Sequence, residues 1–95
     1  MPLYTFVLNY YGGTYVRQIR ASSPSVAPKV WAKKLKPKDI VGLGPKSHRQ
    51  LIKDMTDPQD QDNGPTKVSG MKNTWCCTTI LRNTLVLIHF VQTSE

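Results

Sequence analysis

Residues 3–10 place an aromatic or a leucine at every second position, and that alternation limits what the rest of the chain can build. Tyr4, Phe6, Leu8 and Tyr10 fall on one side, Thr5, Val7 and Asn9 on the other, which is the period-2 signature of a half-buried strand. Gly12-Gly13 follows and supplies the positive φ angles of a tight hairpin turn. A second strand is then expected over Thr14–Ala21, with Tyr15, Ile19 and Ala21 on the apolar side, Arg17 intruding among them, and Thr14, Val16, Gln18 and Arg20 opposite. Only one face is reliably apolar, which suits a sheet covered on one side and open to water or a partner on the other. A lone hairpin is marginal in water and needs a helix or further strands on its apolar face.

The chain offers both. Ser23-Pro24 has the form of an N-cap with proline at the first helical position, but that start would put Pro28 in the helix interior at a cost of ~3 kcal/mol. Capping at Ser25 brings Pro28 into the first turn, where its missing N–H is harmless. The expected helix is Val26–Leu35, with Ala27, Val30, Trp31 and Leu35 buried and Lys29, Lys33 and Lys36 as an exposed row. Lys33 and Lys34 complement the helix dipole in the last turn. Residues 36–46 read as a loop with an apolar centre at Ile40-Val41; its Gly-Leu-Gly fits neither a dinucleotide fingerprint nor a P-loop. Ser47 with Gln50 fits a capping box opening a short helix to Met55, with Leu51, Ile52 and Met55 inward. Thr56–Gly70 is polar and rich in proline and glycine, and is expected to be a mobile loop. A second hairpin closes the chain: a strand over Asn73–Leu81, a turn at Arg82-Asn83-Thr84, and a last strand over Leu85–Gln92. That last strand is apolar on both faces, so it is expected to be central or covered by a partner subunit. The expected fold is a single α+β domain over 1–95, a two-layer sandwich in ββ-α-α-ββ order with an antiparallel sheet and one main helix packed on one face.

The chemistry a catalyst or a metal site requires is not visible. Cys76 and Cys77 are adjacent, so in a strand they point to opposite faces, one a buried small hydrophobe and one outward. They belong to no C-x-x-C pair, and His48 and His89 do not complete a zinc site. His48 is expected to be a solvated first-turn residue, while a pairing of a cysteine with His89 across the second hairpin is geometrically open but carries no sign of thiol activation. Asp57, Asp60 and Asp62 before Asn63-Gly64 lack the closing glutamate of a calcium loop. No cofactor or metal is expected. The longest apolar run, Leu85–Ile88, is too short to cross a bilayer, and the first residues lack the charged start and small-residue cleavage site of a signal peptide. A reducing, cytoplasmic setting is expected.

Charge is the one collective signal. The net charge is +7; ten Lys/Arg and a single acid lie between Arg17 and Lys53, while residues 54–62 hold four aspartates and no base. The candidate basic binding face is Arg17, Arg20, Lys29, Lys33, Lys34, Lys36 and Lys38. Such a cluster can meet phosphates, and Tyr11 and Tyr15 near the first turn could stack bases. No helix-turn-helix or aromatic RNA-binding signature accompanies it, and a lysine row on a helix is in most proteins a solvated face.

The opening, a strand, Gly12-Gly13, a second strand carrying Tyr15, Val16 and Ala21, then Ser23-Pro24 before a helix, resembles the N-terminal part of HicB-type antitoxins. The resemblance covers about a third of the chain. It implies a small sheet-and-helix domain that binds another protein, often as a dimer. Such antitoxins usually carry a separate DNA-binding segment at the C-terminus, where this chain has the hydrophobic hairpin. The expected function is a non-enzymatic protein-interaction module that homodimerises, with Val86, Ile88 and Phe90 as interface and the Lys29–Lys38 face toward an acidic partner. The alternative is nucleic-acid binding by the same basic face.

Overall fold

The computed structural model describes residues 1–56 and 65–94. The elements run β1 (Leu3–Tyr10), β2 (Gly13–Arg20), α1 (Ala27–Lys34), a 3₁₀ turn at Pro37–Asp39, α2 (Pro45–Thr56), β3 (Thr66–Lys67), β4 (Thr74–Leu81) and β5 (Thr84–Ser94). All pairings are antiparallel, in the order β2-β1-β5-β4-β3. This is an α+β fold in which two hairpins join through β1 and β5, with both helices on one face. The last strand is central, as its apolar character on both faces implies. The two-residue β3 comes from a stretch expected to be loop. Residues 57–64 of that stretch, with Asp57, Asp60 and Asp62, lie outside the described residues.

The covered face is built by alternation. Tyr4, Phe6, Leu8 and Tyr10 of β1, Ile19 of β2, Cys77 and Leu81 of β4, and Val86, Ile88 and Phe90 of β5 are all buried. Phe6, Phe90 and Trp75 are register partners on β1, β5 and β4. Phe6 and Phe90 stack at 4.5 Å between centroids, and Phe90 and Trp75 at 5.4 Å. Trp31 of α1 lies flat on Phe6 at 5.0 Å, 7° from parallel, so one row of rings crosses the core and ties helix to sheet.

The helices begin where prolines allow. The first backbone bond near α1 runs from Ala27 N–H to the Ser23 carbonyl; Val26 takes the capping position with no side-chain cap, and Ser25 bonds to the Ser23 hydroxyl instead. Pro28 stays within the first turn, as its chemistry requires. The buried side of α1 is wider than expected, adding Pro28 and Ala32 while Val30 is half-buried, because α2 packs on that flank. α2 starts at Pro45, two residues before the expected Ser47 cap, with proline at the favoured first position. Ser47 is buried in the first turn, and the Gln50 amide donates forward to Asp54 at 2.8 Å rather than closing a capping box. His48 is half-buried, not solvated: its Nε2–H donates to the Ala32 carbonyl at 2.8 Å and links the two helices.

Candidate functional site

The first turn sets the geometry at one corner of the molecule. Its two residues are Tyr11 and Gly12, both at positive φ, and Gly13 belongs to β2, paired with Tyr10. Gly13 is needed there for a different reason. A Cβ at this position would lie 2.7 Å from the Tyr15 hydroxyl, so the missing side chain is the space into which Tyr15 folds. In that position Tyr15 Oη accepts a hydrogen bond from Val41 N–H at 3.1 Å. Tyr11 lies against Gly42, where a Cβ would come within 2.9 Å of its ring, and Tyr10 Oη donates to the Gly42 carbonyl. Tyr15 is tied down by its bond from Val41, while Tyr11 packs on Gly42 and stays 55% exposed; both hold the 40–42 loop to the hairpin.

Beside this clamp a cavity of about 310 Å³ opens between β2 and the C-terminal end of α1. Leu8, Trp31, Leu35 and Ile40 form apolar walls, and Thr14, Tyr15, Arg17 and Lys36 bring polar groups to it. Arg17 is register partner of Phe6, so it continues the aromatic row on the covered face as a cation. Its Nε is buried and has no hydrogen-bond partner among the described residues.

The structure divides the expected basic face. Arg17 and Arg20 are three apart on one strand, an odd interval that sends them to opposite faces of the sheet. Arg17 turns inward, while Arg20 is exposed on the outer face and donates to the Met1 carbonyl at 2.8 Å. Lys29 is half-buried, and Lys33, Lys34, Lys36 and Lys38 are exposed around the end of α1. Of the seven residues, only the lysine group and Arg17 meet, at the cavity, through Lys36.

The expected interface of Val86, Ile88 and Phe90 is corrected. These side chains are 0%, 0% and 1% exposed, sealed under the helices within the same chain, so a second copy could reach them only by displacing the core. The open apolar surface is the opposite face of the sheet. There, register aligns Val16 with Val7 and His89, Thr14 with Asn9 and Leu87, and Gln18 with Thr5 and Val91. β4 adds Cys76, Thr78 and Ile80 opposite His89, Leu87 and Leu85. Val16, Ile80, Leu85, Leu87 and Val91 are exposed. Near the middle, Met71 closes a shallow groove of about 260 Å³ with Val7 and Val91.

Cys77 is the inward cysteine. Burial, with a smaller effect from neighbouring Cys76, pushes its thiol up to about 12, and its Sγ donates to Met55 Sδ. That is the environment of an inert thiol. Cys76 faces the other way, opposite His89, and no hydrogen bond joins them among the described residues. The described residues hold no group of three or more metal-ligating side chains. None of their helices is long and apolar enough to cross a membrane. Comparison with family models, curated proteins and solved structures finds no match to this chain.

Proposed function

We propose that this chain is a non-enzymatic interaction module that associates with a second copy of itself through the open face of its sheet. The observation that supports this most is the distribution of charge. On a chain of net +7, the outer sheet face carries Val, Leu, Ile, Thr, Asn and Gln with His89 inside it and Arg20 at one corner. The lysines lie on the helical side and at the sheet ends. Two copies meeting sheet to sheet would bring their least charged surfaces together and keep most of their cations apart. Four strands at ~4.8 Å spacing and ~3.4 Å per residue give this face a plan area of roughly 500 Å². That is somewhat less than the ~800 Å² per partner of a standard interface, so the dimer is a weak one. Two free thiols suit a reducing, cytoplasmic setting, and the resemblance of the N-terminal third to HicB-type antitoxins accords with a protein-binding domain.

The test is light scattering on a size-exclusion column over a concentration series at two ionic strengths. A dimer that holds or tightens as salt rises is expected, because screening weakens the repulsion of like-charged subunits. Leu87→Lys, at an exposed position, should give a folded monomer. A wild-type chain that stays monomeric at the highest concentration sinks the proposal. The four exposed lysines around the end of α1 favour a second reading, phosphate-backbone binding, with the opposite salt response: affinity falling steeply with salt and lost in Lys33→Glu with Lys36→Glu.

A further inference from the structure

We infer that the cavity between β2 and the end of α1 is a binding site for a small organic carboxylate with an apolar body. At about 310 Å³ it sits at the low end of small-ligand pockets, which combine mostly apolar walls with a few convergent polar groups. Leu8, Trp31, Leu35 and Ile40 supply the walls, and two cations, Arg17 and Lys36, line it with no carboxylate of a described side chain opposing them. The arginine is the more telling of the two. A guanidinium carries five N–H donors in a planar fork suited to a carboxylate. Here its Nε is buried without an acceptor among the described residues, at the end of a row otherwise made of aromatic rings. Buried donors in native structures are nearly always satisfied, so an orphan one asks for an explanation.

An anion entering the cavity gives it one: a small rotation of the guanidinium presents the Nε–Nη edge to two carboxylate oxygens. Tyr15 is placed to help. Its oxygen already accepts from Val41 N–H, so its own proton is available to donate. The apolar walls favour a carboxylate on a hydrocarbon or aromatic body over inorganic phosphate, whose whole surface demands polar partners.

The experiment is an NMR titration of the intact chain with phenylacetate and hexanoate, following the Arg17 Nε–H and the Trp31 indole resonances. Phenylacetamide and inorganic phosphate serve as controls. Both carboxylates should shift the two resonances, and the controls should not at the same concentration. Arg17→Met should weaken binding about tenfold or more, the loss expected for a charge-assisted hydrogen bond. Its thermal midpoint should be unchanged or raised. Lys36→Ala should weaken binding less and leave the fold intact, and it decides the matter if Arg17→Met does not fold. The inference is overturned if neither carboxylate shifts the resonances, if phenylacetamide binds equally well, if phosphate binds equally well, or if both variants bind like wild type. The site lies on the covered side of the sheet, so these outcomes are independent of whether the outer face dimerises.

Discussion

An arginine on the covered side of a sheet costs its fold something, because the desolvated Nε of Arg17 gains no hydrogen bond among the described residues in return. Replacing it with methionine is therefore expected to raise stability by about 1 kcal/mol, measurable by urea unfolding, even as it removes the charge from the cavity. Cys77 sets a second expectation. Its thiol is pushed up to about 12 by burial from an ordinary value of 9.0. Between those values the unfolded chain has released a proton that the folded chain still holds. The stabilisation is complete below pH 9.0 and falls as pH rises toward about 12, by up to ~1.4 kcal/mol per pH unit from this group. Tyr4 and Tyr10, also raised by burial, act in the same direction. Urea unfolding of Cys77→Val along an alkaline series should show a shallower loss than wild type. A thiol-reactive dye should label one cysteine per native chain, Cys76, and two in denaturant. That one of the adjacent cysteines must be inward was legible from strand parity alone. Which one was harder to read, because Cys-Thr-Ile on one face balances Cys-Thr-Leu on the other and only Trp75, on the Cys77 side, breaks the tie.

At the scale of elements, the four strands of the two hairpins were legible to within one or two residues, since alternation in β1 and the doubly apolar β5 leave little freedom of register, whereas the two-residue β3 was not. The second hairpin also turned where expected, on Arg82 and Asn83, both at positive φ. The first hairpin turned one residue early, with Gly13 in β2 leaving room for the Tyr15 ring, a packing contact that no local pattern announces. Gly13→Ala should displace Tyr15, break its bond with Val41 and cost about 1–2 kcal/mol, read as a lowered unfolding midpoint. Both helices carry proline in the first turn, but α1 starts one residue later than expected and α2 two residues before its expected cap, and Ser25 bonds Ser23 instead of capping. The His48 contact to Ala32 was equally hidden, since it needs α1 and α2 to be already packed. His48→Ala should cost about 1 kcal/mol and loosen α2, seen as faster amide exchange in that helix than in β1. The interface expected at Val86, Ile88 and Phe90 failed at this scale too. A strand apolar on both faces says that both are used, without saying which one the helices take.

Across the whole molecule, the two layers separate two chemistries, a sheet surface with Arg20 as a corner charge on one side and a lysine-rich helical flank on the other, with the Arg17 cavity opening between them at the sheet edge. Charge polarity was legible in the sequence, and strand parity alone already sent Arg17 and Arg20 to opposite faces; that Lys36 joins Arg17 at one cavity was not, because it needs α1 packed against β2. The pairing of β1 with β5, which sets Leu3 opposite Ser94, carries a further consequence for how the protein is made. A ribosome releases β1 before β5, so Phe6 has no Phe90 to stack on until some eighty further residues have been synthesised. The first hairpin must emerge and wait with its aromatic side uncovered until β5 follows. A fragment ending before Thr84 would lack the central strand and leave the β1–β2 hairpin isolated, too small to persist alone. Such fragments should be open to proteases that the paired sheet resists.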